Sequence, residues 1–157
     1  MTFDSQKQRK IMGHFATGVT VVTTEGPAGS HGMTANAVAS LSLDPPLVLV
    51  AVDKRAALLE YLLKNRCFAV NILRLDQEDL SRRFATPGPK DFSDLNITTA
   101  VTGSPVLVDG LAFLDCRVHD ILPGGDHDIF VGEILAGEYQ GGEPLLYFSG
   151  RYRRLAE

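Results

Sequence analysis

The sequence predicts a mainly β protein of the α+β class: an antiparallel barrel with a few flanking helices. Three observations predict it. Segments rich in β-branched or alternating residues recur at short spacing along the chain, Gly- and Pro-containing turns separate them, and helical patterns are inserted singly rather than after every strand. A different α+β sandwich is the rival on pattern alone. At 157 residues the expectation is a single domain, 1–157, large enough to bury a core.

Ser5 to Phe15 reads as a helix, with Asp4 or Ser5 as N-cap and Ile11, Met12, Phe15 and Ala16 along one face. Thr17 to Thr24 is β-branched and reads as a strand. Glu25 to Ser30 supplies a turn into a long strand from Gly32 to Leu43. There Met33, Ala35, Ala37, Ala39, Leu41 and Leu43 make a small-apolar face, with Thr34, Asn36, Val38, Ser40 and Ser42 opposite. Pro45-Pro46 ends it before the strand Leu47 to Val52. Arg55 to Asn65 carries Leu58, Leu59, Leu62 and Leu63 at helical spacing, and Cys67 to Leu73 is a strand.

Asp76 is expected to cap a helix over Gln77 to Ala85 that turns Leu80 and Phe84 inward, and Thr86 to Asp91 is a loop. Leu111 to Leu122 alternates, with Ala112, Leu114, Cys116 and Val118 on one side and Phe113, Asp115, Arg117 and His119 on the other. It returns through Pro123-Gly-Gly-Asp126 as Ile129 to Tyr139, an antiparallel hairpin. Gly141-Gly142 turns into Leu145 to Phe148 and Arg151 to Leu155. Ile129, Phe130, Val131 and Ile134 make their strand apolar on both faces, so a helix or a second subunit must cover its outer side.

A hydrophobic content of 45% with 22% charged residues excludes disorder, and a net charge of −4 without basic blocks disfavours nucleic-acid binding. MTFDSQKQRK has no apolar core of a secretory signal, and no apolar run approaches a membrane span. Cys67 and Cys116 lie in apolar strand patterns without a CxxC partner and read as buried reduced thiols. The expectation is a soluble cytoplasmic protein.

Several catalytic devices are missing: no GxGxxG after a strand, no P-loop, no GxSxG, and no metal-ligand spacing among His14, His31, His119 and His127. What remains is an organic cofactor that brings the chemistry. The strand from Gly32 fits one, because short side chains let a flat ligand lie close to the backbone. The same spacing also fits a strand buried beside another sheet.

Phe15 to Thr24, Gly32 to Ser42, Asp44 to Val50, Phe68 to Leu73, Arg83 to Ala85, Gly125 to Gly132 and Leu146 to Tyr152 together resemble the short-chain flavin reductases, in order over nearly the whole chain. The resemblance implies a Greek-key split β-barrel homodimer that reduces FMN or FAD with NADH or NADPH, often for a separate monooxygenase. A flavin's ring edge needs backbone or small polar partners, and Thr34, Ala35, Asn36 and Ala37 with Ser40 and Ser42 can supply them. Asp53, Lys54 and Arg55, between a strand end and a helix start, would meet the flavin phosphate. Arg83, Phe84 and Ala85 fall on the family's flavin-contacting stretch, with Lys90 in the loop beyond. His127 would line the nicotinamide side, with Tyr152 as a second wall. The rivals are a split-barrel flavoprotein reducing another acceptor, such as a ferric chelate or a corrinoid, and a non-catalytic flavin-binding barrel.

Overall fold

The computed structural model describes residues 2–156. In chain order its elements are α1 (Ser5–Met12), β1 (Thr17–Gly18), β2 (Thr20–Thr24), β3 (His31–Ala35), β4 (Val38–Leu43), β5 (Pro46–Asp53), α2 (Ala57–Asn65) and β6 (Cys67–Ile72). A 3-10 turn (Leu75–Gln77) leads into α3 (Glu78–Ala85). Then follow β7 (Ile97–Thr98), β8 (Val106–Leu107), β9 (Ala112–Gly124), β10 (His127–Tyr139), β11 (Leu146–Phe148) and β12 (Arg151–Arg153).

The seven longer strands form one sheet in the order β3-β2-β6-β9-β10-β5-β4, with every neighbouring pair antiparallel. β3 and β4 are its two edges, yet only Asn36 and Ala37 separate them in sequence. Three Cα–Cα steps span about 11 Å, so the edges must curl toward each other. They do not pair with one another. Only the link itself joins the two edges, and Ala51 N–H donating to Ala37 C=O at 3.0 Å carries the β4–β5 ladder into it. The result is a split barrel.

One core fills the barrel, with Phe68, Phe130, Leu58, Leu62, Val50 and Val52 all fully buried. A second gathers Phe84, Leu73 and Leu145 under α3 and the small sheet β1-β11-β12. Two glycines mark close approaches. A Cβ on Gly132 would stand 2.5 Å from Phe68 Cζ, and one on Gly32 2.7 Å from Phe84 Cε1. Buried polar groups are paired. Asn71 donates to Val21 C=O and Thr23 Oγ1 and accepts from Leu107 N–H, while Asp115 accepts from Val101 N–H, Thr102 N–H and Thr102 Oγ1. These bonds lash the segment 101–107 to the barrel.

Several expectations are corrected. The long strand from Gly32 is two strands, and a bulge between Ser40 and Ser42 shifts the register of β4 against β5. Its two-residue alternation therefore does not hold: Ala35 is buried, but Leu41 is 48% and Leu43 92% exposed. α1 stops at Met12, leaving Ile11, Met12 and Phe15 exposed. Asp4 does cap it, accepting from Gln6 N–H at 2.9 Å. Asp76 lies inside the 3-10 turn and pairs with Arg74 at 3.6 Å instead of capping α3. Asp115, placed on a polar face, is fully buried. Both cysteines are free and buried, and burial pushes the Cys116 thiol up to about 12.

Candidate active site

The break between β3 and β4 builds the first part of the site. Thr34, Ala35 and Asn36 line a cavity of about 210 Å³ together with Ser81 and Ala85 of α3 and Tyr147 and Tyr152 of the small sheet. Thr34 Oγ1 donates to Ser81 C=O at 2.5 Å, and the Ser81 and Tyr152 hydroxyls share a hydrogen bond of 2.7 Å. Tyr152 is gripped on both sides: Tyr147 meets it edge-on at 5.3 Å, and the Arg82 guanidinium lies 4.8 Å above its ring. Asn36 also borders a larger, mostly apolar cavity of about 430 Å³ at the open side of the barrel, which Ser40 and Phe15 help to line. Sequence reasoning missed Ser81 and Tyr147, which reach this place only through tertiary packing.

The second part lies at the end of β5. His127 pairs in register with Asp53, and Lys54 N–H donates to Asp126 C=O at 3.0 Å across the β9–β10 turn. Asp53, Lys54, Arg55 and His127 are thus one cluster. His127 Nδ1 stands 2.7 Å from Asp126 Oδ1, a contact that draws the Asp126 carboxyl below its ordinary value. Arg55 is committed: its guanidinium grips Asp53 at 3.1–3.2 Å, and its backbone N–H adds a third bond at 2.8 Å. Those bonds hold the Asp53 carboxyl down to about 2. Lys54 is exposed and has no ion pair among the described residues, and no side chain caps the start of α2 just beyond it.

The two parts are joined by one strand. Ala37 is bonded to Ala51, which lies two residues before Asp53 on β5. The two cavities that Tyr152 lines do not include His127 among their walls.

Several of the expected site residues stand apart from the cavity at Thr34 and Tyr152. Arg83 turns away from the cavity and closes a two-pronged ion pair with Asp94 at 2.9 and 3.0 Å. Phe84 is 1% exposed, and its ring packs over Gly32 in the second core. Of that triplet only Ala85 faces the cavity. Lys90 folds back on the carbonyls of Arg83 and Thr86, and burial lowers the pKa of its amine. Ser40 and Ser42 no longer share a face, because the bulge of β4 lies between them.

The residues fit a flavin. A heteroaromatic edge needs small neighbours, a hydroxyl and an amide, and the cavity offers Ala35 and Ala85, Thr34 and Tyr152, and Asn36. A phosphate needs a cation that is not already paired, and Lys54 supplies one.

The family model described as the flavin reductase like domain matches residues 12–156. The reductase component of the 4-nitrophenol 4-monooxygenase/4-nitrocatechol 2-monooxygenase of Rhodococcus opacus is 42% identical over 149 residues, 95% of this chain and 80% of the relative. The solved structure of flavin reductase PheA2 in its native state has a TM-score of 0.91 at 43% identity, covering 99% of this chain and 100% of its own. The NADH:FAD oxidoreductase SgcE6 of Streptomyces globisporus C-1027, solved with NAD and FAD fragments, gives 0.91 at 37% identity, covering 99% and 97%. With a matching barrel, a ring-sized cavity at the β3–β4 break and a family model spanning nearly all of its length, the chain belongs to the flavin reductase like domain family.

Proposed function

We propose that this chain is an NAD(P)H:flavin oxidoreductase, with residues 1–157 acting as a single domain that reduces FMN or FAD by hydride transfer. It works as a homodimer in the cytoplasm and supplies reduced flavin to a partner monooxygenase. The observation that carries the reading is the cavity formed by Thr34, Asn36, Ala85 and Tyr152 where the barrel splits, in a chain of this family. Relatives are named as NADH-dependent FAD and FMN reductases and as reductase components of monooxygenases, which supports NADH as donor and a monooxygenase as the consumer. Among the described residues no helix is long and apolar enough to cross a membrane.

A bound flavin supplies the hydride acceptor, and the chain supplies placement. Thr34 and Asn36 would hold the polar edge of the ring, the small side chains of Ala35 and Ala85 leave room for its plane, and Lys54 would meet a phosphate. Transfer between two rings depends on holding them at near-contact distance. The Ser81–Tyr152 bond and the Arg82 contact fix the Tyr152 ring as a rigid wall for that purpose.

The test is anaerobic stopped-flow mixing of protein and FMN or FAD with NADH. Loss of the oxidised flavin's visible absorbance at a rate that saturates with NADH supports the reading. Binding of flavin without bleaching would leave only a flavin carrier. Bleaching only when a ferric chelate or corrinoid is present would assign the enzyme to another acceptor.

A further inference from the structure

We propose that Glu78, one helical turn from Arg82 on α3, makes this chain select NADH over NADPH; this rests on the reading that Tyr152 lines the site of the nicotinamide nucleotide. The cavity at Thr34, Asn36 and Tyr152 is not closed. It shares Ala85, Tyr147 and Tyr152 with a second hollow of about 540 Å³, whose walls add Glu78, Arg82 and Arg151. A dinucleotide with its reactive ring against Tyr152 still has a diphosphate and an adenosine to place. This hollow is the exit that shares the ring's own walls, and the Arg151 guanidinium along it suits a phosphate.

Glu78 changes what that exit accepts. Its carboxylate holds Arg82 Nε at 3.3 Å while Arg82 lies over Tyr152, so the charge of Arg82 is already matched. Arg151 is the other cation on this wall, and it has no ion pair among the described residues. A ribose 2′-hydroxyl can donate to the Glu78 carboxylate. A 2′-phosphate meets like charge there and finds Arg82 already engaged. The logic matches the acidic residue that reads the 2′-hydroxyl in dinucleotide folds of another architecture, here on a helix flanking a barrel.

Glu78→Gln keeps the size of the side chain and removes its charge. The expected result is a rise of about tenfold or more in the ratio of kcat/KM for NADPH to that for NADH, carried by KM, with flavin affinity unchanged. Calorimetry on the flavin-free protein gives a second readout. Affinity for adenosine 2′,5′-bisphosphate relative to adenosine 5′-monophosphate should rise by about threefold or more in the variant. Adding Arg82→Ala to Glu78→Gln should cancel both gains, since Arg82 is the cation that Glu78 otherwise occupies. Both ratios must move. If either stays put in a variant that still reduces flavin with NADH, the proposal is overturned and the adenosine half lies elsewhere. Failure of the unaltered protein to oxidise NADH overturns the underlying functional reading and this one with it.

Discussion

Lys54 and Arg55 are neighbours in sequence with different employment. Arg55 is tied to Asp53 by three bonds, and releasing it would expose a carboxylate in the same place. The Lys54 ammonium has no ion-pair partner among the described residues. A phosphate contact in this cluster therefore falls to Lys54, and Lys54→Ala should weaken FMN by about tenfold or more while leaving riboflavin nearly unchanged. Arg55→Ala should do less. Equilibrium fluorescence quenching with both ligands checks this, and equal weakening of FMN and riboflavin would place the phosphate elsewhere. His127 is held through Nδ1 at Asp126, which leaves Nε2 to face a ligand. His127→Ala should slow single-turnover flavin reduction by NADH roughly 10- to 100-fold with little change in flavin affinity, and His127→Asn should retain more of the rate than alanine. An alanine variant that loses flavin but keeps its transfer rate would move His127 to the flavin's own contacts.

At the scale of elements, β3 is anchored at its start by His31, which is buried and stacked on Tyr61 of α2 with ring centroids 4.6 Å apart and planes 12° from parallel. Burial first, and the charge of Lys90 second, lower the pKa of His31. A histidine whose folded value is lowered is taken up neutral, so the unfolded chain binds its proton first. The contribution to stability is complete above the unfolded value of about 6.5 and is lost as pH falls below it. His31→Phe keeps a stacking ring and removes the titration. The unaltered protein should lose more thermal stability between about pH 7 and pH 5 than this variant does, and parallel losses would show that His31 is not the group responsible.

The same strand shows how much the sequence reveals. Alternation and turn residues mark β2, β5, β6 and the β9–β10 hairpin, because each reflects a local pattern. The break at Asn36–Ala37 is not legible, since the alternation runs through it unchanged. It exists because β3 pairs with β2 and β4 with β5 at opposite edges of one sheet. For the same reason Thr34, Asn36 and Tyr152 could be nominated from sequence and resemblance. Ser81 and Tyr147 could not, and neither could the diversion of Arg83 to Asp94 or the burial of Phe84. Those depend on where α3 comes to rest.

At the scale of the whole molecule, the outer face of β5 and β10 is apolar and only partly covered, with Val131 buried and Leu49, Ala51 and Ile129 half-buried. Pairing in register places Ala39, Leu49 and Val131 side by side, and Ala51 beside Ile129, on the side away from the barrel core. Leu122, beside Ile129 in register, extends that face at 43% exposure. An apolar sheet face of this breadth calls for a second surface like it, and a standard interface needs about 800 Å² from each partner. His127 and Asp53 stand at the rim of this face, in register with the same strands. A second copy would thus flank the His127 cluster and supply surroundings that a single chain leaves open. Sedimentation at micromolar concentration should give about twice the 17.0 kDa chain mass. Leu49→Lys, at the centre of the face, should shift the protein toward single chains that bind a hydrophobic dye. It should also lower NADH-dependent flavin reduction more than it lowers flavin binding, because His127 loses its flanking surface while the cavity at Tyr152 is untouched. A stable single chain in the unaltered protein, with no dye binding, would mean that the face is covered from within and that the His127 cluster needs no partner.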